Sequence, residues 1–191
     1  KKKLFYQHIQ LLESKDPEGK EWEVVLIQAG LSLNNKFYPA EVLKKSVNLF
    51  ENAKAYAFEY QGKVFNHLPD IVKRVLPEGC IKNLVGWYDN PRYGTFKDSE
   101  GKTQEGILAR LHITENANWL KNLMKEAWEY GKESLLGFSI DGDGKVAESS
   151  FEGKKVFKVE DIRCIDWVDI VSHPAAGGQL VRLLASISSE E

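Results

Sequence analysis

The sequence predicts a β-rich α+β domain, a partly closed barrel surrounded by helices. Apolar, β-branched runs recur along most of the 191 residues, three helical patterns are interspersed among them, and no regular βαβ alternation argues for a doubly wound parallel sheet. With 42 % hydrophobic residues the chain is long enough to bury one sizeable core, so residues 1–191 read as one domain.

Residues 1–21 are polar and carry the turn-forming Asp16-Pro17-Glu18-Gly19, which leaves a short strand around Leu4–Leu12 and a loop. Glu23–Ala29 has the β-branched content of a buried strand. Gly30–Tyr38 follows as a loop, with turn chemistry from Asn34 and Asn35 and a packed aromatic in Tyr38. Pro39 opens a helix at the position where its missing N–H costs least, and Val42, Leu43, Val47 and Phe50 recur along one helical face. Ala53–Glu59 and Lys63–Asn66 are strands around Gln61-Gly62, Asp70–Val75 suits a short helix, and Ile81–Tyr88 suits a strand.

The longest irregular segment is Asp89–Gln104, which reads either as a substrate-side flap or as an exposed hairpin tip. Gly106–Ile113 alternates as a half-buried strand should, through Ile107, Leu111 and Ile113. Thr114 is a credible N-cap for a helix ending near Gly131, with Trp119, Leu120, Leu123, Met124 and Ala127 along one face. The spacing of Trp119, Trp128 and Tyr130 favours core packing over nucleic-acid stacking. After the Leu135–Ile140 strand come Lys145–Ser149, Lys155–Val159 and Ile162–Val171, then a final helix over Gln179–Ser186.

Bulk properties exclude more than they select. A formal net charge of −2 and a pI near 6.2 give no global electrostatic reason to expect nucleic acid or an anionic membrane as partner. No apolar run approaches the length of a membrane span, and no signal-peptide core opens the chain, so the expectation is a soluble intracellular protein. Cys80 and Cys164 fit a reducing compartment and stand in no CxxC pattern; Cys164, among strand residues, reads as a small buried side chain rather than a nucleophile. The chain opens at Lys1 without a methionine and closes on S-I-S-S-E-E, the look of a trimmed or processed product.

Chemistry points to Glu133–Gly144, E-S-L-L-G-F-S-I-D-G-D-G. Leu135, Leu136, Phe138 and Ile140 suit a buried strand, and Asp141-Gly142-Asp143-Gly144 reads as the turn of a tight hairpin. Ser139 is the one polar side chain in that strand. A buried hydroxyl needs a partner, so it is either a core serine bonded to backbone or a nucleophile. The G-x-S-x-G elbow is absent, which removes the α/β-hydrolase reading. The Asp-Gly-Asp-Gly run lacks the ligand spacing of an EF-hand, and there is no Walker A or dinucleotide fingerprint. A zinc site from His67, Asp70 and His173 is conceivable, yet no paired metal-ligand spacing supports it.

Two distant segments join Ser139: Phe65-Asn66-His67-Leu68-Pro69-Asp70, and Ile165 to Ala175, I-D-W-V-D-I-V-S-H-P-A. A histidine after a strand, a serine within one, and an acid on a late strand ending in Pro-Ala resemble in order the prohead (capsid maturation) proteases of tailed phages, which are related in fold to the herpesvirus assembly proteases. Gly30–Leu43, G-L-S-L-N-N-K-F-Y-P-A-E-V-L, is similar to that family's early N-x-x-x-Y-P-x-x-V-L signature, so the resemblance spans about Glu23 to Leu184.

The resemblance implies a serine endopeptidase with Ser139 as nucleophile, His67 as general base and an acid that orients the imidazole. Asp169 is the candidate for that acid, with Asp166 as the alternative. In the family's common E-V-S-L-V-T-x-P-A form a glutamate stands where this chain has Trp167. Asp169 shares the Trp167 strand face and Asp166 lies on the other. The resemblance further implies scaffold and major capsid proteins as substrates, self-cleavage, no cofactor, no nucleic acid or membrane partner, and action in the host cytoplasm inside the immature capsid. A homo-oligomer is compatible with the related viral fold. The small residues of His173–Gly178 are candidate oxyanion donors. The alternative from another class is a catalytically silent assembly or scaffold-like module on the same fold, with Ser139 as a structural hydroxyl.

Overall fold

The computed structural model describes residues 18–32, 35–60, 63–65, 81–98, 101–132, 135–171 and 183–185. It is a strand-rich α+β structure in which a curled half-barrel sheet carries two helices. Strand β1 (Glu21–Gln28) is flanked by β11 (Leu183–Ala185) and β8 (Thr103–Ile113); β8 pairs with β7 (Leu84–Lys97), and β7 with β4 (Lys54–Tyr56), all antiparallel. Beyond β4 lies β10 (Lys154–Val171), parallel to β4 and to β3 (Lys36–Tyr38), which in turn pairs with β2 (Gly30–Leu31). Strand β9 (Gly137–Phe151) runs antiparallel along the other edge of β10. A separate hairpin joins β5 (Phe58–Tyr60) to β6 (Lys63–Phe65).

Residues directly opposite one another share a sheet face, so the register sorts the side chains. One face collects Trp22, Leu111 and Tyr88, then Ala55 and Val168, which belong to the main core, and half-buried Ile140, which packs against it. The other face carries the row Glu21, His112, Trp87, Lys54, Trp167 and Asp141. Helix α1 (Ala40–Ser46), with Pro39 at its N-cap, packs on β10 and β8 through Val42 and Leu43; the following 3₁₀ turn buries Phe50. Helix α2 (Asn118–Glu129) buries Leu120, Met124 and Ala127. None of the described helices is long and apolar enough to cross a membrane.

Strand β10 departs most from the pattern expected of a strand. Its apolar residues Val159, Ile162, Ile165 and Val168 recur every third position, whereas strand faces alternate every second. The ladder reconciles the two with three bulges, skipping Glu160, Arg163 and Asp166, so that the four apolar residues fall opposite Val146, Gly144, Gly142 and Ile140 on one face. What reads as separate strands is therefore one long hairpin.

The same bulges overturn the expected turn at Asp141–Gly144. The strand continues through it, and the chain reverses at Glu152-Gly153, whose φ values of 49° and 75° suit a two-residue hairpin turn. Gly142 and Gly144 serve a different need: a Cβ on either would lie 2.3 Å from a β10 carbonyl, that of Cys164 or of Asp161. Gly142→Ala is therefore expected to cost about 1–3 kcal/mol through overpacking. A fall in the urea midpoint at unchanged slope checks it; a wild-type midpoint would contradict it.

Asp89–Gln104 is mostly strand, with an irregularity between Asp89 and Arg92 and a tip held by the Lys102 amide donating to Asp98 Oδ1 at 2.8 Å, so the hairpin-tip reading stands. The region expected as a final helix holds β11, which adds to β1 because Leu183–Ala185 pairs with Trp22–Val24. Thr114 precedes a 3₁₀ turn, Glu115–Ala117, and makes no capping bond; α2 starts only at Asn118. Trp119 and Tyr130 point outward and are exposed, as are Leu135 and Cys164. Ala53–Glu59 is interrupted at Ala57, giving β4 and β5. The expected strand at Leu4–Leu12, the short helix at Asp70–Val75 and Cys80 lie outside the described residues.

Candidate functional site

Ser139 and Asp169 occupy the same rung of the β9–β10 ladder. Being directly opposed, they point to the same face, with Cβ atoms about 4.5–5.5 Å apart. Tyr56 of β4 continues the rung on the far side of Asp169. This is the face of Trp167, opposite the core face of Phe138, Ile140, Val168 and Ile170. The local sequence builds it simply. After the last bulge at Asp166 both strands alternate regularly, so in F-S-I and V-D-I the apolar neighbours go into the core and the polar residue goes the other way.

Both polar side chains are buried, Ser139 at 3 % exposure and Asp169 at 1 %. Burial of a hydroxyl and a carboxyl is tolerated only where they find polar partners, and neither is isolated here. The cover includes an aromatic cluster: Tyr56 stacks on Phe58 at 4.8 Å between centroids, and Trp167 meets both rings edge-on at 5.5 and 5.6 Å. From the core side, fully buried Tyr88 approaches. Burial and, secondarily, the Asp169 charge push its phenol well above the usual range.

Asp166, the alternative acid, is the extra residue of a bulge rather than a member of the opposite strand face. It is exposed and within 3.9 Å of the Cys164 thiol, which donates toward its Oδ1. It does not share a rung with Ser139. Cys164 sits opposite Asp143, out on the arm of the hairpin and away from the Ser139–Asp169 rung.

His67, His173 and the Gly-rich segment after it lie outside the described residues, as does Asp70. The described chain stops at Phe65, opposite Phe58 in the β5–β6 hairpin, two residues before His67; Phe58 itself packs against Tyr56 and Trp167. Among the described residues the one histidine is His112, on β8. It sits three strands from β10 along the sheet, and both of its ring nitrogens face carboxylates, those of Asp89 and Glu21. No group of three or more His, Cys, Asp or Glu side chains among the described residues could hold a metal ion.

His112 belongs to an ion lattice on the same sheet face. Its Nε2 lies 2.7 Å from Asp89 Oδ2 and its Nδ1 3.1 Å from Glu21 Oε1, while Trp87 stacks on the ring at 5.0 Å. Asp89 also accepts from Arg110 Nε at 2.9 Å. Partial burial alone would raise the Asp89 carboxyl, but the bonds from Arg110 and His112 prevail and hold it below its ordinary value. Arg92 pairs with the buried Glu23 alongside. Neither this lattice nor Tyr88 is marked by a local motif. The signal for the lattice was present in the alternation of Glu21 and Glu23, Trp87 and Asp89, Arg110 and His112, each pair spaced by two on its strand.

No protein-family model, no curated protein and no solved structure matches the chain.

Proposed function

We propose that this chain is a serine endopeptidase similar to the prohead proteases of tailed phages, on a fold like that of the herpesvirus assembly proteases. The observation that carries the reading is the buried Ser139–Asp169 rung. Two polar side chains face each other at the one position in otherwise apolar strand ends where a hydrophobic pair would cost less. The order His67, Ser139, Asp169 along the chain adds to it.

In this mechanism Ser139 Oγ attacks a peptide carbonyl while His67 takes its proton, giving a tetrahedral oxyanion. Collapse expels the amine, to which His67 returns the proton, and water then cleaves the acyl-enzyme by the same steps. Asp169 holds the imidazole tautomer and balances its transient charge. The substrates are scaffold and major capsid proteins, and the chain itself, cut inside an immature capsid in the host cytoplasm. No cofactor takes part.

A fluorophosphonate probe with mass-spectrometric mapping tests the proposal, the expected adduct being on Ser139. His67→Ala should slow that labelling by about 10²–10⁴-fold, and EDTA should leave it unchanged. An unlabelled wild type would favour the silent assembly module. Activity lost in EDTA and restored by zinc would instead revive a metal centre at His67, Asp70 and His173.

A further inference from the structure

Tyr88 is a fully buried titratable group that the mechanism above does not use. It stands on the core face of β7, across the sheet from the Ser139 and Asp169 side chains. Its ring meets that of Phe138 edge-on, with centroids 6.3 Å apart at 83°. Its hydroxyl donates to the Val168 carbonyl over 3.5 Å. Phe138 directly precedes Ser139, and Val168 directly precedes Asp169. A single side chain from β7 thus reaches past β4 and bears on both strands of the rung, one residue before each polar group.

We propose that Tyr88 is a positioning residue for the Ser139–Asp169 rung, its ring fixing β9 and its hydroxyl fixing the peptide that joins Val168 to Asp169. The inference rests on the serine-protease reading and deepens it. Ring contact and hydrogen bond act on different strands, so together they resist sliding of one against the other. Between buried groups such a bond is short of competing water and its loss leaves a carbonyl underbonded. With the Asp169 charge nearby and no solvent, the phenol stays protonated and remains a donor. A rung displaced by a few tenths of an ångström would keep its fold yet lose the alignment on which the rate depends.

The test is Tyr88→Phe in the full chain, which keeps the ring and removes the hydroxyl. Fluorophosphonate labelling measured against probe concentration separates capture from reaction. The expected result is a saturating labelling rate about tenfold lower, with the half-saturating probe concentration unchanged. Labelling at the wild-type rate would overturn the inference and leave the protease reading intact, whereas a wild type that takes no label would overturn that reading and this inference with it. A second measurement does not depend on the variant: 3-fluorotyrosine placed at position 88 alone should show a ¹⁹F resonance that moves in Asp169→Asn. A resonance that stays put would sink the coupling between Tyr88 and the rung.

Discussion

Replacing Ser139 with alanine should remove peptide cleavage while leaving the fold in place. The substitution deletes one oxygen from a fully packed rung and adds no volume, and the core on the opposite face, Phe138 and Ile140 included, is untouched. With no nucleophile, the remaining rate should be on the order of 10⁻⁶ of the wild type, as in serine proteases that lose theirs. Thermal unfolding should change little. Cleavage of a scaffold substrate by Ser139→Ala at anything near the wild-type rate would show that the hydroxyl serves the core alone.

Asp169→Asn and Asp166→Asn form the second contrast. An orienting carboxylate must be shielded and within reach of the imidazole that serves the serine; Asp169 is nearly inaccessible and on the Ser139 rung, while Asp166 stands exposed on a bulge. Asparagine keeps the shape but favours the wrong imidazole tautomer, so Asp169→Asn should lose about 10⁴ in rate and Asp166→Asn almost nothing. Parallel cleavage rates decide it. A crippled Asp166→Asn beside a healthy Asp169→Asn would reverse the assignment, and two healthy variants would leave a serine–histidine dyad.

Much of this arrangement was legible from residues alone, where one period or one local rule governed. The strand expected at Glu23–Ala29 from its β-branched content is found at Glu21–Gln28, and the strand at Gly106–Ile113, the helix after Pro39 and the burial of Leu120 and Met124 follow from periodicity and the proline. So does the shared face of Trp167 and Asp169, because no bulge intervenes between them. Legibility failed where tertiary pairing overrode the local signal. Asp141-Gly142-Asp143-Gly144 has turn composition, yet its glycines answer to carbonyls on another strand 20 or so positions away. Leu183–Ala185 has no β signature of its own and is a strand because the edge of β1 offers unpaired backbone groups. Trp119 follows helical spacing, but α2 starts at Asn118, so its indole falls on the solvent side of the first turn.

The three bulges of β10 also make the location of Ser139 and Asp169 a question of odd and even. Val159 and Asp169 are ten residues apart, an even interval that would put them on one face of an uninterrupted strand; three extra residues put them on opposite faces. An odd number of insertions is thus written into the sequence between the arm and the rung. Loss of a single codon there would leave the chain a choice between turning its apolar stripe outward and turning the Asp169 carboxyl inward. Length drift in this segment should therefore be far rarer across descendants of this gene than substitution at Glu160, Arg163 or Asp166, whose side chains are all exposed.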